Sequence, residues 1–140
     1  MTMFKFKTTL AAAAVSLLCS SATFAEDSDA LFINLTSDDG FRVTMALAFG
    51  GRQMERGHHL TVFLNDRGVM AATKANAALF ASQQAKLAKL LESGATVVVC
   101  GMCMKQYGIA ADDLMEGLTV GNPDLTSTKL FKENTVALSW

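Results

Sequence analysis

The sequence predicts an α/β fold, a three-layer sandwich around a mostly parallel sheet of about five strands. Short apolar runs recur along the chain, each of strand length and rich in β-branched or aromatic residues. Between them lie stretches whose apolar residues recur at helical spacing. Alternation of the two periods implies βαβ units, with right-handed crossovers and parallel strands, as in flavodoxin-like or Rossmann-like topologies.

The elements follow in order. Residues 30–35 read as the first strand, and Thr36-Ser37-Asp38-Asp39-Gly40 as a turn rich in helix-capping residues. Phe41, Met45, Ala48 and Phe49 then mark one face of a helix that runs to Arg56 and stops at Gly57. Gly50 and Gly51 inside it cost up to about 1 kcal/mol each against alanine, which predicts close packing or a break there. Residues 60–64 form a second strand, and Asn65-Asp66-Arg67-Gly68 a polar turn. The alanine-rich stretch 69–81 fits either a short edge strand with a loop or an early start to the next helix. Leu87, Leu90 and Leu91 stripe a helix over 82–92, which Gly94 ends.

Val97-Val98-Val99 reads as a strand buried on both faces. No breaker follows from Met102 to Tyr107, so a helix can start there. Residues 111–115 predict a short helix and 118–120 a short strand. Gly121-Asn122-Pro123-Asp124 predicts a turn, residues 126–132 a short helix, and residues 135–138 the last strand.

The chain has 140 residues, which fits one folded domain. Residues 1–25 read as a cleavable secretory signal peptide. Lys5 and Lys7 are its basic region, Leu10 to Leu18 its apolar run, and Thr23-Phe24-Ala25 its cleavage site near Ala25. The apolar run is far short of the ~20 residues that span a bilayer. Leu18 is too large for a lipoprotein signal at Cys19, so Cys19 falls in the discarded peptide. The mature domain is then 26–140, enough to bury ~65% of its unfolded surface.

Without Lys5 and Lys7 the domain keeps 10 of the 12 basic residues against 13 acidic ones, a net charge of about −3. No basic cluster remains, which argues against nucleic acid as a partner. No later segment is apolar enough to span a membrane, so the protein is not membrane-embedded. Export predicts a periplasmic location, where exposed thiol pairs oxidise.

The chemistry concentrates at Cys100-Gly101-Met102-Cys103, a C-x-x-C at the end of the Val97–Val99 strand. In open α/β sheets ligands gather outside the carboxyl ends of strands. A thiol there, beside the start of a helix, loses its proton more readily. Gly101 loosens the turn between the thiols, and Asp66 and Arg67 fall on the same rim if the strands are parallel. The spacing fits a redox pair, half a zinc site, or a nucleophile with a neighbour.

Zinc needs four ligands. There is no second C-x-x-C, and His58 and His59 precede a strand at the opposite end, so no metal is expected. Dinucleotide-binding G-x-G-x-x-G, P-loop and G-x-S-x-G signatures are absent, so no cofactor is expected. Met102, Met104 and Met115 near the site read as gap fillers. A thioredoxin-like site is disfavoured, because the motif sits on a late strand and Pro123 is the only proline available.

The mature chain resembles the DsrE/DsrF-like family, which includes the TusD subunit of the tRNA-thiolation sulfur relay. The resemblance lies in the order of elements and in several segments. These are Phe32-Ile33-Asn34-Leu35, Val62-Phe63-Leu64-Asn65 leading to Gly68-Val69, and Cys100-Gly101-Met102-Cys103 with Tyr107-Gly108-Ile109, then Leu118-Thr119-Val120. Family members carry a sulfur-accepting cysteine eight residues before such a glycine–aliphatic pair, and Cys100 has that spacing from Gly108-Ile109.

The resemblance implies a homotrimer or homohexamer and sulfurtransferase activity through a persulfide at Cys100. Its partners would be sulfur donor and acceptor proteins or small sulfane-sulfur compounds. Catalytic roles fall to Cys100 and Cys103, and substrate contacts to Asp66, Arg67 and Gly101. The export signal departs from the cytoplasmic members. The other reading is a non-catalytic oligomeric binding or redox-sensing module with a Cys100–Cys103 disulfide.

Overall fold

The structure is a computed structural model and describes residues 29–140. The predicted signal peptide and Cys19 lie outside the described residues. Five strands, β1 (Ala30–Leu35), β2 (Leu60–Leu64), β3 (Thr96–Cys100), β4 (Thr119–Gly121) and β5 (Thr135–Ser139), form one sheet in the order β4-β3-β2-β1-β5. Every neighbouring pair is parallel, as the alternation of elements predicts. All strand carboxyl ends therefore face one rim, and the C-x-x-C lies on it.

Strand alternation gives the two faces of the sheet different fates. Leu31, Ile33, Leu35, Leu60, Val62, Leu64, Val97 and Val99 pack under helices α1 (Gly40–Met54) and α2 (Ala81–Glu92). Val43, Ala46 and Leu47 of α1 and Leu87 and Leu90 of α2 complete this core. Gln83 is the buried polar side chain of α2, and it donates to the Gly40 carbonyl at 2.9 Å and to Thr44 Oγ1 at 3.1 Å. The opposite face carries Phe32, Phe63 and Val98 and is covered by the short helix α4 (Pro123–Leu130), none of whose residues is fully buried.

Asp39 caps α1 by accepting the Arg42 N–H at 2.8 Å. Gly50 marks close packing and not a break, because a Cβ there would meet Leu60 Cδ2 at 2.9 Å and Ile33 Cδ1 at 3.0 Å. The unreadable stretch becomes 3₁₀ turns over Asp66–Ala72 and Lys74–Asn76. Its only extended residue in a ladder among those described is Thr73, bridged antiparallel to Leu114. Val69, Ala71 and Ala72 are fully buried, so this segment is a lid on the core and neither edge strand nor early helix.

The turn expected at Gly121–Asp124 is shorter than predicted. Asn122 caps α4 by accepting the Leu125 N–H at 2.8 Å, and Pro123 occupies the first helical turn, where its missing N–H costs nothing. The helix expected at 111–115 is a single 3₁₀ turn over Ala111–Asp113.

Candidate functional site

β3 ends at Cys100 and helix α3 (Gly101–Gln106) starts on the next residue, so the chain reverses within the C-x-x-C. Gly101 permits the reversal. A Cβ there would stand 2.9 Å from the Gly121 carbonyl oxygen of β4, so a larger residue would push the motif off the sheet edge. Cys100 and Cys103 are joined by a disulfide, with Cα atoms 5.2 Å apart.

The two sulfurs have different surroundings. Cys100 is 8% exposed and belongs to the core cluster; Cys103 is half-buried. Cys100 Sγ accepts the Cys103 backbone N–H at 3.1 Å, which makes Cys100 the cap of α3. Cys103 Sγ accepts the Asp66 backbone N–H at 3.3 Å. Asn65 Oδ1 lies 3.1 Å from Cys103 Sγ; in the disulfide that is a sulfur–oxygen contact, and in the dithiol the S–H can donate to it. A strand-end thiol at the rim of a parallel sheet is expected to be exposed, and for Cys100 the structure corrects this. A residue that ends a strand buried on both faces keeps its side chain inside, and the sulfur that faces outward is Cys103.

The loop after β2 is shaped to serve these sulfurs. Asp66 sits in the left-handed region at φ 46°, a conformation that aspartate tolerates better than most residues. Asn65 Oδ1 accepts the same Asp66 N–H at 2.9 Å. Tyr107, just past α3, donates its hydroxyl to Asp66 Oδ1 at 2.8 Å, which ties the loop to α3. That bond, with a smaller contribution from burial, raises the Tyr107 phenol above its ordinary pKa. Two residues on, Gly68 passes so close to β1 that a Cβ would overlap the Leu35 carbonyl.

Asp66 and Arg67 both reach the predicted rim, but in different roles. Asp66 touches Cys103 through its backbone. Arg67 turns to Asp38, with Nε 2.9 Å from Asp38 Oδ2 and a second nitrogen on the same oxygen. This pairing, through its hydrogen bonds first, raises Arg67 and lowers Asp38 from their ordinary values. His58 lies away from the rim, its ring Nδ1 2.8 Å from the Asp29 carbonyl oxygen. Among the described residues, no group of three or more His, Cys, Asp or Glu side chains could hold a metal.

Sequence reasoning missed Asn65 and Tyr107 as site residues. Tyr107 was legible only as part of a motif, and Asn65 only as a turn residue. Position at the carboxyl end of a parallel strand is the signal that marks Asn65.

Of two sizeable cavities, only one adjoins a site residue. The larger, ≈ 440 Å³, lies between α1 and α2, is lined by Leu47, Gly51, Lys86 and Leu90 among others, and contains neither sulfur. A groove of ≈ 320 Å³ lies on the α4 face and is lined by Phe32, Asn34, Phe63, Asn65, Ala137 and Ser139 among others. Asn65 is thus both a wall of the groove and a neighbour of Cys103 Sγ. Asn65 Nδ2 donates to Asn34 Oδ1 at 3.4 Å, and Asn34 Nδ2 donates to Ser139 Oγ at 3.4 Å. Neither sulfur lines this groove either, but a polar row of Ser139, Asn34 and Asn65 runs along it, and Asn65 stands beside Cys103 Sγ.

Comparison with known proteins agrees with this architecture. The model of the DsrE/DsrF-like family matches residues 11–134, beginning inside the stretch read as a signal peptide. The uncharacterized protein MJ0989 of Methanocaldococcus jannaschii is 35% identical over 77 residues, 54% of this chain and 68% of that protein. The solved structure of MTH1491 from Methanobacterium thermoautotrophicum, of unknown function, superimposes with a TM-score of 0.69 at 16% identity, over 81% of this chain and 100% of that one. BT1422 from Bacteroides thetaiotaomicron, a conserved protein of unknown function, gives 0.63 at 26% identity, over 80% and 95%. The ychN protein from E. coli gives 0.61 at 18% identity, over 81% and 99%.

Proposed function

The chain belongs to the DsrE/DsrF-like family, and from that premise we propose that it carries sulfane sulfur as a persulfide on Cys100. The observation that carries this reading is the placement of both thiols at the end of the parallel strand β3, with hydrogen-bond donors already aimed at each sulfur. Those donors favour thiolate over thiol, the form that acts as nucleophile.

The transfer is a pair of displacements. The Cys100 thiolate attacks the outer sulfur of a donor persulfide, R–S–SH. The donor sulfur–sulfur bond breaks, R–S⁻ leaves, and Cys100 holds –S–SH. An acceptor thiolate then attacks that outer sulfur and Cys100 leaves as thiolate, so no net oxidation occurs. Attack of Cys103 on the inner sulfur instead gives the disulfide and releases hydrosulfide. Cys103 is therefore the resolving residue, and Asp66 and Gly101 flank the sulfurs.

The wider reading is an exported sulfurtransferase that works in the periplasm after cleavage near Ala25. Donors and acceptors are sulfur-relay proteins or small sulfane-sulfur compounds. Assembly as a homotrimer or homohexamer is supported by exposed apolar residues beside the open β5 edge and on the outside of α1. Phe41 is 72% exposed, Val136 48% and Met45 45%.

The disulfide favours a second reading, a redox-sensing or binding module without sulfur transfer. Intact mass separates the two. Reduced protein exposed to polysulfide gains about 32 Da per sulfur atom if it is a carrier, and the Cys100→Ser variant does not. No gain in either protein supports the module, and equal gain in both removes Cys100 from the mechanism.

A further inference from the structure

We propose that the groove on the α4 face seats a small organic thiol of neutral, apolar body, which opens the resting disulfide at Cys103 and frees Cys100 as thiolate. This rests on the sulfur-carrier reading and supplies what that reading lacks, a source of reduced Cys100 in an oxidising compartment.

The direction of attack follows from the surroundings of the two sulfurs. A thiolate must approach a disulfide sulfur from outside. Cys100 is only 8% exposed, whereas Cys103 is half-buried, so Cys103 is the more accessible of the two sulfurs. The leaving sulfur must accept negative charge, and Cys100 Sγ already receives the Cys103 N–H at 3.1 Å. The step balances as an exchange. R–S⁻ bonds to Cys103 Sγ, the Cys103–Cys100 bond breaks, and its electron pair stays on Cys100. The incoming thiolate is oxidised to a mixed disulfide and Cys100 is reduced, with no other oxidant or reductant.

The groove indicates what kind of thiol fits. Its volume, ≈ 320 Å³, is within the usual range for small-molecule sites. The half-buried Phe63 ring, backed by the buried Phe32 with centroids 6.1 Å apart, offers an apolar surface. Asn34, Asn65 and Ser139 add uncharged polar groups, and no charged side chain lines it. Asn65, at the groove's sulfur end, stands 3.1 Å from Cys103 Sγ. Neither sulfur lines the groove itself, and a thiol lying over Phe63 with its sulfur beside Asn65 reaches Cys103 past that side chain.

The test uses the oxidised, folded domain and three nucleophiles: hydrosulfide, phenylmethanethiol and 3-mercaptopropionate. Acid-quenched, alkylated samples are mapped by mass. The expected adduct is on Cys103 with the alkyl label on Cys100. Phenylmethanethiol is expected to open the folded protein faster, relative to hydrosulfide, than it opens the same protein unfolded in urea. The charged thiol shows no such gain. Ala137→Trp, which fills the groove from its exposed wall, lowers the phenylmethanethiol-to-hydrosulfide ratio by about tenfold, the equivalent of one lost contact region.

An adduct on Cys100, or a ratio equal in folded and unfolded protein, overturns the proposal even if Ala137→Trp does not fold. So does a folded Ala137→Trp protein with an unchanged ratio. Sulfur gain by the chemically reduced protein is measured separately, so the groove can fail while the carrier reading stands.

Discussion

The two faces of the sheet are built for different ends. Under α1 and α2, Ile33, Leu35, Val62, Leu64 and Val99 have no exposed surface. On the α4 face Phe32 and Val98 are comparably sealed, but Phe63 and Asn34 are half-buried and Ala137 and Ser139 are exposed. The strands are shared, so the difference comes from their cover: two helices of 15 and 12 residues on one side and one of 8 on the other. One face supplies most of the buried apolar area and hence most of the stability. The other is left more open, with a groove of ≈ 320 Å³ whose wall includes Asn65, the neighbour of Cys103 Sγ.

The largest expected effect breaks the closed face. Leu64→Ala removes a fully buried side chain and is expected to cost about 2–5 kcal/mol in urea unfolding. Ala137→Ser on the open face is expected to stay within about 0.5 kcal/mol. Equal losses would erase the contrast.

Gly68→Ala comes next. Its Cβ would strike the Leu35 backbone carbonyl, which cannot move without shifting β1. The expected cost is about 1–3 kcal/mol, as for an overpacked site, in the same measurement.

Asn65→Ala joins the two regions. It removes the cap on the Asp66 N–H and one groove wall together. A stability loss of about 0.5–2 kcal/mol is expected, the range for a lost cap.

The smallest effect is local. Tyr107 is the chain's single tyrosine, so its ultraviolet titration reads one group. The phenol should ionise above its ordinary pKa, and Asp66→Asn should bring it down, because the Asp66 hydrogen bond is the chief cause of the rise. A raised folded pKa means that the bond's stabilisation is complete below the unfolded value and is lost as pH rises through the folded one. Asp38 runs the other way. Its pKa is lowered by Arg67, so that contribution holds above the unfolded value and fades as pH falls through the folded one.

Sequence periodicity made α2 and β3 of the closed face legible but chose the wrong side of α1. Phe41, Met45, Ala48 and Phe49 are exposed. Val43, Ala46, Leu47 and Gly50 face the core, where the small Ala46 and Gly50 and the β-branched Val43 fit the close approach to the sheet. Leu87, Leu90 and Leu91 announced α2, and Val97–Val99 announced a strand covered on both sides. It left residues 69–81 ambiguous, because 3₁₀ turns have no apolar period of their own and their shape is set by the core beneath Val69 and Ala72. At the site, the spacing of Cys100 and Cys103 placed the thiols on the correct rim. It did not say which sulfur faces outward, since that depends on where β3 ends relative to α3. Asn65 and Tyr107 come together with Cys103 and Asp66 only in three dimensions, 38 and 41 residues apart in the chain.

The most direct test of the account is the sulfur on Cys100 itself. Cells expressing the chain are lysed into a thiol-trapping alkylator, and the peptide containing residues 100–103 is weighed by mass spectrometry. A population carrying one extra sulfur, about 32 Da, on Cys100 is the predicted result. That peptide found only as disulfide and unmodified dithiol, with no sulfur gained even after reduction and exposure to polysulfide, would contradict it.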